Sequence, residues 1–267
     1  MSAVTRVKKF AQSNAGALLR VADFPGASPV AVSKALSRLE SAGQLERVSK
    51  GLYYVPKQTL LGRSRPATYA VAFKALPGRV RPRGVTAAAM LGLTTQVAAK
   101  PQLVVYGQST LCESGLDVLR RKAKLTSSVN ISLRDAALLE VLRDCGRYSE
   151  LDDDQTLSRV RDALLPRRAH GTNENVAESR SLSGRFSRLF PEKDERSDLD
   201  DAQRLRQLVE CALSEPPRVR ALLGALLEDL NLPSRFWKLL RDSLNPLTRF
   251  DFGPFRALPN AKEWQSK

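Results

Sequence analysis

Apolar positions along the first 56 residues run at helical spacing and then change to the period of strands. Val7, Phe10 and Ala11 share one face of a helix expected over residues 4–13, which Asn14-Ala15-Gly16 ends. Residues 18–24 are expected to form a short second helix before the Pro25-Gly26 turn. Ser28 then stands at the cap of a third helix with Pro29 at its first position, a common helix-start pairing. Val32, Ala35, Leu36 and Leu39 fall at helical spacing and form its core face. Val30, Ser33, Lys34, Ser37, Arg38 and Ser41 face the other way, and Gly43 ends the helix. Beyond it the pattern is that of strands: residues 45–48 and 52–55 read as two wing strands around Ser49-Lys50-Gly51. Of the adjacent Tyr53 and Tyr54, one is expected to point in and one out, because strand side chains alternate.

Residues 57–65 read as a linker, which puts a first domain at 1–60 and a second at 61–267. Arg79, Arg81 and Arg83 follow, bounded by Pro77, Gly78, Pro82 and Gly84. Extended spacing would point all three to one side. No Asp or Glu lies between Gln58 and Leu111, so these arginines are expected to meet an external anion. A short helix is expected at 86–91 and strands at 103–106 and 129–133. From about residue 134 the pattern turns helical, with apolar stripes at 134–145, 156–165, 199–213, 217–230 and 234–244. Residues 166–177 read as an exposed loop and 192–201 as a solvated, charge-dense stretch. The expected fold class is therefore α+β and mainly helical. It combines an N-terminal winged helix-turn-helix domain with a larger mixed, mostly helical C-terminal domain.

Charge sharpens this reading. The formal net charge is +15, and it is uneven. Residues 1–110 hold 16 Lys/Arg against 3 Asp/Glu, while residues 111–267 hold 27 against 25. A basic front joined to a near-neutral back suggests nucleic acid at one end and a different task at the other. Helix followed by hairpin is the order in which a winged helix-turn-helix meets DNA, the helix in the major groove and the hairpin tip on the neighbouring backbone. The candidate DNA-contacting residues are Ser28, Ser33, Lys34, Ser37 and Arg38 on the helix, with Arg47, Ser49 and Lys50 on the wing. Ser and Lys/Arg bond base edges or phosphates, and Arg suits guanine. Arg79, Arg81 and Arg83 are additional candidates for an anion contact.

Catalytic chemistry has little to build on. A nucleophile–base pair would rest on the single histidine, His170, in a loop-like setting. His/Cys pairs at zinc-ligand spacing and a glycine-rich phosphate loop are both absent from the sequence. Asp152-Asp153-Asp154 reads as the acidic start of a helix, where carboxylates complement the dipole. The alternative is a hard-cation site. Cys112, Cys145 and Cys211 make no CxxC pair, which fits inert thiols in a reducing cytoplasm. Neither a signal peptide nor a membrane span is expected, and no metal or cofactor.

The segment GALLRVADF through AVSKALSRLESAGQLERVSKGLYYVP resembles the N-terminal winged-helix domain of AbiEi-type antitoxins from bacterial type IV toxin–antitoxin systems. Gly43, Leu45, Arg47, Val48, Lys50, Gly51, Tyr53 and Pro56 carry the match. The stretch RPRGVTAAAMLGLTTQVAAKPQLVVYGQ is similar to the middle region of a subgroup, at Gly84, Ala87, Leu91, Gly92 and Leu93. The resemblance implies a repressor of its own operon, bound to inverted repeats in double-stranded DNA at its promoter. It also implies a second domain that counteracts a nucleotidyltransferase-like toxin, directly or indirectly, as in phage-defence systems. The protein would be a monomer in solution or associate weakly on DNA, and would not be an enzyme. Two alternatives stay open. One is a plain winged-helix transcriptional regulator whose C-terminal domain senses a ligand or oligomerises. The other is a metal-dependent nucleic-acid enzyme using Asp152–Asp154.

Overall fold

The structure, a computed structural model, describes residues 3–60, 62–76, 79–107, 115–122, 131–165 and 201–266. His170 and its expected loop, residues 192–200, Cys112 and residues 129–130 lie outside them. The chain divides into two compact units, Met1–Pro77 and Gly78–Lys267. Its class is the expected one, α+β and mainly helical. Among the described residues no helix is long and apolar enough to cross a membrane.

In the first unit, helix α1 (Ala3–Ser13) and helix α2 (Pro29–Ser41) pack on a three-stranded antiparallel sheet. Its strands are β1 (Leu18–Arg20), β2 (Glu46–Ser49) and β3 (Leu52–Tyr54), with β3 in the centre. The core joins Val7, Leu19, Phe24, Val32, Leu36 and Tyr53 among others, and Phe10 meets Phe24 edge to face at 5.5 Å. Residues 18–24 correct the expected second helix. Leu18 pairs with Tyr54 and Arg20 with Leu52, so the first half is a strand. Only Val21–Asp23 coils, as one 3-10 turn. A short apolar run does not distinguish strand from helix, and here the partner strand decides.

Residues 57–65, expected as a linker, fold instead. Strands β4 (Gln58–Thr59) and β5 (Gly62–Arg63) form a hairpin. Its root is pinned by Ser64: its N–H donates to the Lys57 carbonyl at 2.9 Å, and its hydroxyl sits 2.8 Å from the Tyr54 hydroxyl. That contact explains a second correction. Tyr53 and Tyr54 are both buried, Tyr53 in the core and Tyr54 beside Ser64. Helix α3 (Thr68–Ala75) closes the unit. Lys74 pairs with Asp23 at 2.9 Å, and the Arg20 guanidinium donates to the Lys74 carbonyl at 2.7 Å. These contacts carry the unit past the expected boundary at residue 60 to Pro77.

The second unit is built on strands β6 (Val80–Pro82), β7 (Gln102–Tyr106) and β8 (Asp117–Arg121). β6 and β7 run antiparallel, β7 and β8 parallel. Helix α4 (Gly84–Met90) lies between β6 and β7 in sequence. Helix α5 (Leu133–Arg143) is buried from Asp135 to Leu142, as expected of a helix surrounded by other elements. Leu133, expected to end a strand, opens this helix because the Ser132 side chain accepts the Asp135 N–H. Helices α6 (Asp153–Leu164), α7 (Asp201–Ala212), α8 (Pro217–Asp229) and α9 (Ser234–Asp242) complete the unit. The six-membered ring of Trp264 packs against Gly224 of α8 so closely that a Cβ there would collide with it. The indole N–H donates to Glu228 at 2.6 Å.

Arg81 ties these layers together. Its side chain is 2 % exposed and donates to Glu215 at 2.6 Å, with Glu140 at 3.9 Å and the Tyr106 ring beneath it at 4.9 Å. Glu140 also accepts from Tyr106 at 3.0 Å and Arg121 at 2.5 Å, and Glu215 is bonded by Arg143 as well. Burial pushes the Tyr106 hydroxyl up to about 12, so it stays protonated and donates. Removing Arg81 takes from Glu215 and Glu140 their most buried counter-charge and leaves them only the part-exposed Arg143 and Arg121. Arg81→Ala is therefore expected to destabilise the second unit by roughly 3–5 kcal/mol. Urea unfolding of the full chain should show an earlier midpoint for that unit; a parental midpoint would mean that Arg121 and Arg143 suffice to hold the two glutamates.

Candidate nucleic-acid interface

Helix α2 has two unlike faces because its sequence has two. Val32, Ala35, Leu36 and Leu39 are buried in the core of the first unit. Ser33, Lys34, Ser37 and Arg38 are all exposed, one helical turn apart in pairs. Val30, also outward, is 64 % exposed. Ser28 occupies the N-cap position and is exposed, but its hydroxyl makes no cap bond. The first helical bond runs instead from Val32 N–H to its carbonyl at 3.0 Å. On the core-facing flank the Tyr53 hydroxyl reaches Ser37 Oγ at 3.4 Å, linking the helix to the sheet.

The wing is the β2–β3 hairpin. Arg47 pairs with Tyr53, and the register shifts between Arg47 and Ser49. Such a bulge bends the strand and increases its twist. Gly51 turns the chain at φ +73 with open space around it, so conformation rather than crowding calls for glycine there. Arg47, Ser49 and Lys50 are exposed on this wing. Its tip lies close to the start of α2: Ser49, Lys50 and Gly51 line one groove of about 650 Å³ with Phe24, Pro25 and Pro29. Wing tip and helix N-terminus thus share one end of the unit.

Electrostatics agree with this geometry. Residues 1–77 carry 12 Lys/Arg and 3 Asp/Glu. Ten of those cations are exposed. Asp23 is held by Lys74, which leaves Glu40 and Glu46 as the remaining carboxylates. Among the described residues, none of Lys34, Arg38, Arg47 and Lys50 forms an ion pair. A surface with such an excess of fixed positive charge attracts polyanions and binds them in a salt-dependent way.

Two of the three arginines expected to supplement this surface are paired with carboxylates. Arg81 is enclosed by Glu215 and Glu140, and Arg83 pairs with Asp117 at 2.8 Å. Arg79 is exposed and donates to the Tyr106 carbonyl at 3.1 Å. The expectation of three arginines awaiting an external anion is corrected for Arg81 and Arg83, whose carboxylate partners are remote in sequence. Three cations that the sequence reading passed over, Lys57, Arg63 and Arg65, are exposed on or beside the β4–β5 hairpin. Gly62, in the left-handed region at φ +103, was the available turn signal.

Asp152 caps α6, its carboxylate accepting the Gln155 N–H at 2.7 Å, with Asp153 and Asp154 in the first turn. Among the described residues no group of three His, Cys, Asp or Glu is placed to hold a metal ion. Cys211 is buried and Cys145 half-buried, and burial pushes the Cys145 thiol up.

Residues 6–164 match the family of unknown function DUF6088. The chain belongs to this family. The matched span contains all of α2, the wing and the β6–β7–β8 sheet, whereas Glu215 lies beyond it. No curated protein matches the chain. Among solved structures, the crystal structure of the RV2827C protein from Mycobacterium tuberculosis is similar at a TM-score of 0.38 and 12% sequence identity, covering 92% of this chain and 83% of that one.

The wing turn yields a direct test. Forcing an L side chain into the left-handed conformation costs about 1–2 kcal/mol. Gly51→Ala should therefore lower the melting temperature of the first unit without changing the charge of the interface. An unchanged melting curve would mean that the turn relaxes to another conformation.

Proposed function

We propose that this protein is a DNA-binding antitoxin that represses its own operon and counteracts a nucleotidyltransferase-like toxin. One observation carries the DNA half: a helix buried along Val32, Ala35, Leu36 and Leu39 turns Ser33, Lys34, Ser37 and Arg38 outward, beside a cationic wing. An α-helix of this kind fits the major groove, where Arg and Ser can bond base edges. Arg47 and Lys50 would lie on the flanking phosphates, which position the protein and carry no sequence information. Exposed Val30 is suited to the methyl group of a thymine.

The antitoxin half rests on the resemblance of the winged-helix segment to AbiEi-type antitoxins. The charge division is compatible with it: residues 78–267 hold 31 Lys/Arg and 25 Asp/Glu, and the buried Arg81 is neutralised internally. The site of action would be the cytoplasm, where operon and toxin both lie. One observation favours a second reading, a ligand-sensing transcriptional regulator. The second unit has an open cleft of about 670 Å³ lined by Val85, Val97, Gln102, Leu116 and Asp117, within the size range of small-molecule sites.

Co-expression separates the two. Expressing the neighbouring gene should arrest growth, and adding this protein should restore it; a neighbour that is harmless alone points to the regulator. For the DNA contacts, Arg38→Ala is expected to lose about 1–3 kcal/mol of promoter affinity, roughly 5- to 150-fold in Kd. Fluorescence anisotropy with the protein's own promoter checks this. Unchanged affinity in both Lys34→Ala and Arg38→Ala would remove α2 from the groove. Arg47→Gln or Lys50→Gln should weaken all sequences alike and lower the slope of log K against log salt by about 0.9 each. A shift in sequence preference at constant slope would contradict a phosphate-only role.

A further inference from the structure

The β4–β5 hairpin carries an arrangement that the helix and wing do not use. Leu60, at its tip, is 106% exposed. Lys57, Gln58, Thr59, Arg63 and Arg65 around it are exposed too. From Arg47 to Cys112 the chain contains no Asp or Glu, so no local carboxylate can neutralise these cations. The hairpin is held, not loose. Lys57 N–H and the Tyr54 hydroxyl both meet Ser64 Oγ at 2.8 Å. Thr59 Oγ1 donates to the Gly62 carbonyl at 2.7 Å across the turn. The Lys57 side chain lies over Gly16, where a Cβ would come within 2.4 Å of its Cε. Among its described residues, this pinned cationic ribbon presents one large apolar side chain, Leu60, to the outside.

We propose that this hairpin is a second DNA arm, whose cations rest on phosphates while Leu60 enters the minor groove as a wedge and bends the duplex. The inference rests on the DNA-binding reading above. Apolar wedges between base steps, flanked by basic residues, are a general means of kinking DNA toward the major groove. The wing turn and this hairpin follow opposite ends of β3, so one central strand separates the two cationic tips of the unit. A basic ribbon with a leucine tip would also suit an anionic lipid surface. DNA is favoured because the cation excess continues over α2 and the wing of the same unit.

The test uses the full chain and a 40-base-pair duplex of its own promoter, labelled at both ends for energy transfer. Leu60→Ser should bind within about threefold of the parent but lose most of the end-to-end shortening. The triple variant Lys57→Gln, Arg63→Gln, Arg65→Gln should bind at least tenfold more weakly, with a salt slope lower by about 2–3. All four positions are exposed, so the variants should melt as the parent does, which circular dichroism checks. Parental shortening in Leu60→Ser, or a parental salt slope in the triple variant, overturns the arm. The α2 reading survives that result as long as Lys34→Ala and Arg38→Ala still weaken binding. Flotation with phosphatidylserine-containing vesicles that depends on the three cations, together with unaltered DNA binding, would also overturn it, in favour of a lipid surface.

Discussion

A guanidinium with almost no exposed surface has to find its counter-charge inside the protein, and Arg81 finds two. Glu215 takes its hydrogen bond and Glu140 stands just beyond, with the Tyr106 ring against its flat face. The three charged residues come from β6, from α5 and from the turn before α8. None of them can be buried until the other elements have arrived, because an unpaired ion in such a place costs several kcal/mol. Sheet and helices of the second unit are therefore bound to a single arrangement. Arg121 and Arg143 extend the same constraint to β8 and to the end of α5.

This network also decides where the positive charge of the protein is available. Arg81 and Arg83 spend their charge internally, on carboxylates of the second unit. In the first unit the reverse holds. Asp23 is committed to Lys74, and ten cations remain exposed. Among the described residues, the positive charge of the first unit thus stays available through the disposition of carboxylates as much as through the number of arginines and lysines.

Strand β3 organises that surface. It is the central strand, paired with β1 on one side and β2 on the other. Tyr53 enters the core and touches Ser37 of α2, while Tyr54 holds the root of the β4–β5 hairpin through Ser64. The wing turn leaves one end of this strand and the hairpin the other. A single strand of three residues in this way sets the positions of helix, wing and arm, which is why the two tyrosines are both buried where simple alternation would expose one.

The sequence by itself determined what depends on near neighbours. The two faces of α2 were legible in the period of Val32, Ala35, Leu36 and Leu39, and its start and end in Ser28-Pro29 and Gly43, because helical geometry repeats within one turn. The wing was legible from its strand pattern around Ser49-Lys50-Gly51, and the cap of α6 from Asp152. Tertiary structure alone decided what depends on distant partners. Residues 18–20 became a strand because β3 offers them hydrogen bonds more than thirty residues later. Residues 57–65 became a hairpin pinned by Tyr54, and the first unit ran on to Pro77. Arg81 passed from apparent surface to core because its carboxylate partner stands 134 residues away. Local periodicity carries no information about which remote strand or counter-ion will be adjacent, and pairing energy is large enough to override it.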